Sequence, residues 1–244
     1  QQEHGISQIT PLSVQQLTGQ DESHLVTTGC GHQLQAQTAV AFAALQRDAL
    51  AAGFDLAIAS SFRSFERQCA IWNGKASGAR PVYDDGGCSI ALGELAPNDQ
   101  VHAIMRFSAL PGTSRHHWGS DLDVFDAAAM PEGYLLQLSL SEVACGGLFD
   151  ALHCWLDERM ALDQSYGFFR PYSSDAGGVA PERWHLSHAP SALPYEQACN
   201  AAVLQTVLSA QGIALWEPVR DHLDELLQRY AQVSNDWCPA RYLS

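Results

Sequence analysis

No run of about 18 apolar residues occurs anywhere in the 244-residue chain, so no membrane-spanning helix is expected. No basic stripe occurs either, and the formal net charge is −14, which argues against nucleic acid or an anionic membrane surface as a partner. The seven cysteines, Cys30, Cys69, Cys88, Cys145, Cys154, Cys199 and Cys238, form no CxxC pair, which argues against a cysteine-based zinc site. Their odd number and scatter suit thiols in a reducing compartment, with one or two disulfides left open. The N-terminus, QQEHGISQITPLSVQQ, lacks the basic start and apolar core of a signal peptide, although a chain that had already lost one would look the same. Repeats and low-complexity tracts are missing. Charged residues make up only 16% against 46% hydrophobic, so a sizeable core is feasible and disorder is not expected.

What is present reads as alternating helices and short strands. Leu34, Thr38, Phe42, Leu45 and Ala49 recur at helical spacing, predicting a helix over 34–52 that Gly53 stops. FDLAIAS and DLDVFD alternate like strands, and RWHLSH reads as a third. Further helices are expected at 65–74, near NDQVHAIMRF, at 147–163, and near 194–211 and 217–232. The last of these places Val219, Leu223, Leu226, Leu227 and Tyr230 on one face. Its acids Asp221, Asp224 and Glu225 read as a solvated face. Residues 75–95, rich in Gly, Asp and Pro, read as a long loop, and DDGG within it as a turn rather than a calcium loop. Few strands separated by helices suit an α+β domain, a small, mainly antiparallel sheet covered by helices.

Two segments carry potential chemistry. In TSRHHWGSDLDVFD, a turn around Gly119 brings His116 back toward a strand on which Asp121, Asp123 and Phe125 share a face, so His116 and Asp123 can meet at one ion. In PERWHLSH, Glu182 precedes His185 and His188. A catalytic zinc takes three His or Asp/Glu ligands, and zinc hydrolysis needs a base for its water. In an ideal strand Glu182 and His185 face opposite sides, so the chain must bend near Pro181 and Glu182 for both to serve one site. Each segment alone is weak, since a His–Asp pair is more often ordinary polar structure.

Together the segments resemble a family. SRHHWGSDLD looks like the S-x-H-x-x-G-x-A-x-D motif of the VanY-type D-alanyl-D-alanine carboxypeptidases. ERWH resembles their E-x-W-H, and SSFRSFERQ their S-G-Y-R-S-x-x-x-Q. The three motifs occur in family order across residues 30–190, with YGFFRPY fitting between them.

The resemblance implies a Hedgehog/DD-peptidase-like fold and a single zinc peptidase domain over 1–244, in which 191–244 form a helical extension. It implies Zn2+ held by His116, Asp123 and His185, with Glu182 as general base. Arg63 would stabilise the carbonyl oxygen or bind the substrate carboxylate, and Ser114 and Gln68 would hold the peptide end. The implied reaction is hydrolysis of the C-terminal D-Ala bond of peptidoglycan-derived peptides. L,D-carboxypeptidase, D-Ala-D-Ala dipeptidase and L-Ala-D-Glu endopeptidase activity belong to related groups, and a non-catalytic zinc-binding interaction domain is the competitor from another class. Two positions depart from the motifs: Asp121 stands where the family has alanine, as a partner behind a zinc histidine or as a mark of altered substrate choice, and Ser61 stands where it has glycine. His117 is unspecified by the motif and reads as a residue supporting the site from behind, as pocket lining or as plain surface; His188, Trp118 and Trp184 read as structural, Trp184 with a possible place in the pocket wall. A cytoplasmic enzyme acting on recycled muropeptides fits these facts, with a periplasmic enzyme whose signal has been removed as the alternative. No oligomeric state is specified.

Overall fold

The computed structural model describes residues 12–233 and 240–242. The N-terminal residues considered for an export signal are partly, and Cys238 wholly, outside that range. A one-turn helix, α1 (Val14–Leu17), precedes a small antiparallel hairpin of β1 (Leu25–Thr27) and β2 (Gln33–Gln35). Then come α2 (Ala36–Ala51), β3 (Leu56–Ser60), α3 (Phe65–Ala76) and α4 (Pro97–Met105). The strand β4 (Asp121–Asp126) follows, then α5 (Leu140–Val143), α6 (Asp150–Ala161), β5 (Phe168–Phe169) and β6 (His185–His188). The helices α7 (Ala189–Ala198), α8 (Ala201–Gln211), α9 (Trp216–Asp221) and α10 (Leu223–Leu226) come last, and a π-helical turn over Leu227–Ala231 continues α10.

The main sheet has the order β3-β4-β6-β5, with every pairing antiparallel. This is the expected α+β architecture. The alternation in DLDVFD does the sorting: Leu122 and Val124 point into a core with Phe42, Leu45, Leu56, Leu152, Leu156 and Leu186. The opposite face is left to Asp121 and Asp123. A second core lies among α3, α4 and the C-terminal helices, where Trp72, Val101, Ile104 and Leu110 meet Leu204, Leu208, Val219 and Leu226.

Several elements differ from the expected bounds. Leu34 belongs to β2, where it pairs with Val26, and the helix begins only at Ala36. The cause is tertiary: the Gln35 amide donates to the Gly119 carbonyl at 2.8 Å, which holds this stretch extended. The first of the two expected C-terminal helices is broken at Cys199 and Asn200, where the Asn200 side chain caps a new helix. The second divides at His222. Asp84 accepts hydrogen bonds from the amides of Gly86 and Cys88, so DDGG is a turn built on one side chain. Cys30, Cys69, Cys88, Cys145, Cys154 and Cys199 are free thiols. Among the described residues, no helix is long and apolar enough to cross a membrane.

Candidate metal centre and cleft

Asp123 and His185 are directly opposed residues on β4 and β6. Opposed residues in an antiparallel pair project from the same face with Cβ atoms about 5 Å apart, so the pairing register alone brings the two side chains together. His116 comes from the 3₁₀ turn Arg115–Trp118, which Gly119 ends in the left-handed conformation at φ 71°. A Cβ on Gly119 would lie 2.3 Å from Leu25 Cδ2 and 3.2 Å from the Gln35 amide nitrogen. Gly119→Ala is therefore expected to destabilise the protein by about 1–3 kcal/mol, from left-handed strain plus the clash, as measured by urea unfolding.

One ligand atom each from His116, Asp123 and His185 lies within 4.8 Å of the others, and all three residues are buried. The imidazoles are oriented from behind. His116 Nδ1 donates to the Ser61 carbonyl at 2.9 Å, leaving Nε2 facing Asp123 Oδ2 at 3.4 Å. His185 Nε2 donates to Asp121 Oδ2 at 2.8 Å, leaving Nδ1 facing Asp123 Oδ1 at 3.3 Å. The buried Asp123 Oδ1 makes no hydrogen bond within the protein. Two imidazole nitrogens and a carboxylate thus converge with their lone pairs on one small space. That donor set fits a divalent cation such as zinc better than it fits any internal hydrogen-bond pattern. Burial opposes charge on the Asp123 carboxyl, but His116 and His185 outweigh it and hold its pKa below the usual carboxylate range.

The bend demanded near Pro181 is there. Glu182 lies outside β6, and the His185 amide donates to its carbonyl at 3.1 Å, forming a turn that carries the Glu182 carboxylate to 3.5 Å from His185 Nδ1. Arg183 fixes this turn to α6 through Asp150 and Asp157, each in an ion pair shorter than 3 Å. Arg170 donates to the Arg183 carbonyl.

Arg63 immediately precedes Ser64, whose side chain caps α3. Its amide donates to the His116 carbonyl at 3.1 Å, and its own carbonyl accepts from His117 Nδ1 at 2.6 Å. His117 is fully buried, not at the surface; its Nε2 accepts from the Gly112 amide at 3.1 Å, so its neutral ring is a strut under the Arg63 backbone.

A cleft of about 230 Å³ is lined by Arg63, Ser114, His116, Asp123, Glu182 and His185, with Tyr172 and Trp184 among its walls. Gln68 does not line it. It lies fully buried behind Arg63, accepting from Arg63 Nη1 at 3.1 Å and donating to the Ala109 carbonyl at 2.6 Å, so it aims the guanidinium. His188 and Trp118 are buried structural residues: Ser191 hydrogen-bonds His188, and Trp118 packs with Leu17 and Tyr195. A larger cavity, about 640 Å³, borders the 75–95 loop and shares no lining residue with the cleft; its Arg106 is already paired with Asp85 and Asp175.

Tyr172, whose ring meets His185 edge-on at 5.1 Å, was not among the residues singled out in the sequence. Its signal is faint, a tyrosine closing YGFFRPY ten positions before Glu182.

The fold and this geometry define a candidate metallohydrolase site on a small antiparallel sheet. Comparison with known proteins gives the family. The profile described as VanY, D-alanyl-D-alanine carboxypeptidase, matches residues 31–191, and the chain belongs to that family of peptidases. Two uncharacterised proteins of Haemophilus influenzae (strain ATCC 51907 / DSM 11121 / KW20 / Rd) are similar to it. One is 47% identical over 103 residues, covering 41% of this chain and 70% of that protein. The other is 30% identical over 122 residues, covering 50% and 92%. Among solved structures, VanYB in complex with D-alanine-D-alanine is 22% identical, covering 79% of this chain and 86% of that one with a TM-score of 0.47. The LdcB LD-carboxypeptidase is 19% identical, covering 85% and 78% with a TM-score of 0.48.

Proposed function

We propose that this chain is a zinc-dependent carboxypeptidase that removes the C-terminal D-alanine from peptidoglycan-type peptides ending in D-Ala-D-Ala. The observation that carries the reading is the convergence of His116 Nε2, Asp123 and His185 Nδ1 in one cleft that also holds Glu182 and Arg63. A bound zinc ion supplies Lewis acidity, polarising a carbonyl and lowering the pKa of water.

The remaining chemistry belongs to the protein. Glu182 takes the proton of the attacking water and delivers it to the leaving amine of D-alanine. Arg63 faces the developing negative charge on the carbonyl oxygen or holds the substrate carboxylate, and a planar guanidinium aimed by Gln68 suits either task. Ser114 and the walls of Tyr172 and Trp184 bound the terminal residue. A metal-binding interaction domain has no use for Glu182 or Arg63, and their presence in the cleft favours catalysis. Residues 1–244 are read as one unit, with the C-terminal helices part of it. The six described cysteines, all free thiols, suit action on recycled muropeptides in a reducing space.

The test is product analysis with zinc-loaded protein on a muramyl pentapeptide. Free D-alanine is expected, with release abolished by a chelator and restored by zinc. Release only from a tetrapeptide would move the reading to an L,D-carboxypeptidase. Release of D-Ala-D-Ala would move it to a dipeptidase, and cleavage after L-alanine to an endopeptidase. No cleavage by zinc-bound protein would favour the interaction domain.

A further inference from the structure

Asp121 stands where the family motif has alanine, and its surroundings give it a task. The side chain is fully buried on the same face of β4 as Asp123. Both oxygens are saturated by donors. Oδ1 accepts from Ser120 Oγ at 2.7 Å and from Ser187 Oγ at 2.9 Å. Oδ2 accepts from Arg115 Nε at 2.8 Å and from His185 Nε2 at 2.8 Å. A carboxylate offers about four acceptor sites, and here all four are used. Asp121 therefore has no lone pair to spare for a cation.

The partners are themselves held. Arg115, also buried, donates from Nη1 to Glu196 Oε2 on α7 and from Nη2 to Ser187 Oγ, each at 2.8 Å. The Ser187 residue lies directly opposite Asp121 in the β4–β6 register. The carboxylate thus sits in a rigid frame built from β4, β6 and α7, with one contact that leads to the candidate metal centre.

We infer that Asp121 is the positioning residue for the metal ligand His185, confining the ring N–H to Nε2 so that the Nδ1 lone pair is presented to zinc. The inference rests on the zinc reading given above. A carboxylate behind a ligating imidazole fixes ring orientation and makes the ligand atom more basic, and loss of such a partner typically weakens metal binding about 10- to 100-fold. In chains with alanine at this position, His185 would need a different partner. The bland alternative is that Asp121 serves only to neutralise Arg115.

The experiment measures zinc dissociation constants by competition with a chromophoric chelator for wild type, Asp121→Ala and Asp121→Asn, with the fold of each checked by circular dichroism. Imidazole ¹H–¹⁵N spectra of the zinc-loaded proteins report which nitrogen of His185 carries its proton. Asp121→Ala is expected to weaken zinc binding about 10- to 100-fold and to release the Nε2 proton to exchange. Asp121→Asn keeps an acceptor but not the charge, and should fall between the two. Should Asp121→Ala fail to fold with Arg115 left buried, Asp121→Asn decides the matter. Zinc affinity within twofold of wild type in a folded variant, with the His185 N–H signal unchanged, would overturn the inference and leave Asp121 as the partner of Arg115. A wild type that binds no zinc would instead overturn the functional reading on which it rests.

Discussion

Replacing Glu182 with glutamine is expected to lower kcat by a factor of about 10² to 10⁴, the usual contribution of a general acid–base group. Zinc content and affinity should stay close to wild type. The separation follows from the geometry. The carboxylate stands 3.5 Å from His185 Nδ1, beside the three candidate ligands and not one of them. Glutamine preserves the shape, and the turn over 182–185 is held by backbone and by Arg170 and Arg183, none of which the substitution touches. Substrate affinity should change little, because the lost interaction is a proton transfer made only in the transition state. D-alanine release and bound zinc, measured on the same samples, check this. A variant that kept full activity would remove Glu182 from the chemistry, and one that lost its zinc would make it a ligand.

The second large effect is on stability in acid. His153 and His188 are buried, and desolvation lowers their pKa values from 6.5 to about 3 and about 4. The cations Arg170 and Arg183 push His153 further down. Each histidine stays neutral in the folded protein at pH values where the unfolded chain is protonated. Between the unfolded value near 6.5 and the folded values the unfolded state therefore binds more protons, and stability falls as pH falls. Each contributes a slope of up to about 1.4 kcal/mol per pH unit, and with the fully buried His117, whose pKa desolvation likewise lowers to about 3, the three give up to about 4 kcal/mol per unit between about pH 6 and pH 5. Against a typical total of about 5–15 kcal/mol, that is enough to unfold a domain of ordinary stability. Urea unfolding of metal-free protein at pH 7, 6 and 5 should show the loss. His153→Gln should remove about a third of the slope, whatever it does to stability at pH 7. A flat profile from pH 7 to 5 would mean that these buried rings are not held neutral.

The parts of the site that rest on local pattern were legible in the sequence. Alternation in DLDVFD separates Leu122 and Val124 from Asp121 and Asp123, and Gly119 marks the turn that returns His116. The bend before His185 was legible as a requirement, because a regular strand would have divided Glu182 from the histidine.

The parts that depend on register were not. The alternation placed Asp121 on the ligand face. Only the pairing of Asp121 with Ser187 and of Asp123 with His185 tells which carboxylate stands in front of the imidazole and which behind it. The place of Gln68 was hidden for a similar reason. The motif glutamine that closes SFRSFERQ looks like a substrate contact, but the helical turn sends it behind Arg63. His117 gave no signal of its strut-like role, since its partners, the Arg63 carbonyl and the Gly112 amide, are backbone atoms that carry no sequence identity.

The match to the family stops at residue 191, and the physical unit does not. Glu196 lies past that limit and is an ion-pair partner of Arg115, the cation that braces Asp121 behind His185. Farther along, the Ala214 carbonyl accepts from the indole of Trp72, and Leu204, Leu208 and Leu226 close the apolar side of α3 and α4. The tail is thus coupled to the candidate ligand His185 by three links, from Glu196 to Arg115, Arg115 to Asp121, and Asp121 to His185. A change at position 196 is therefore expected to alter the electrostatic footing of the candidate metal centre without touching any residue by which the family is recognised.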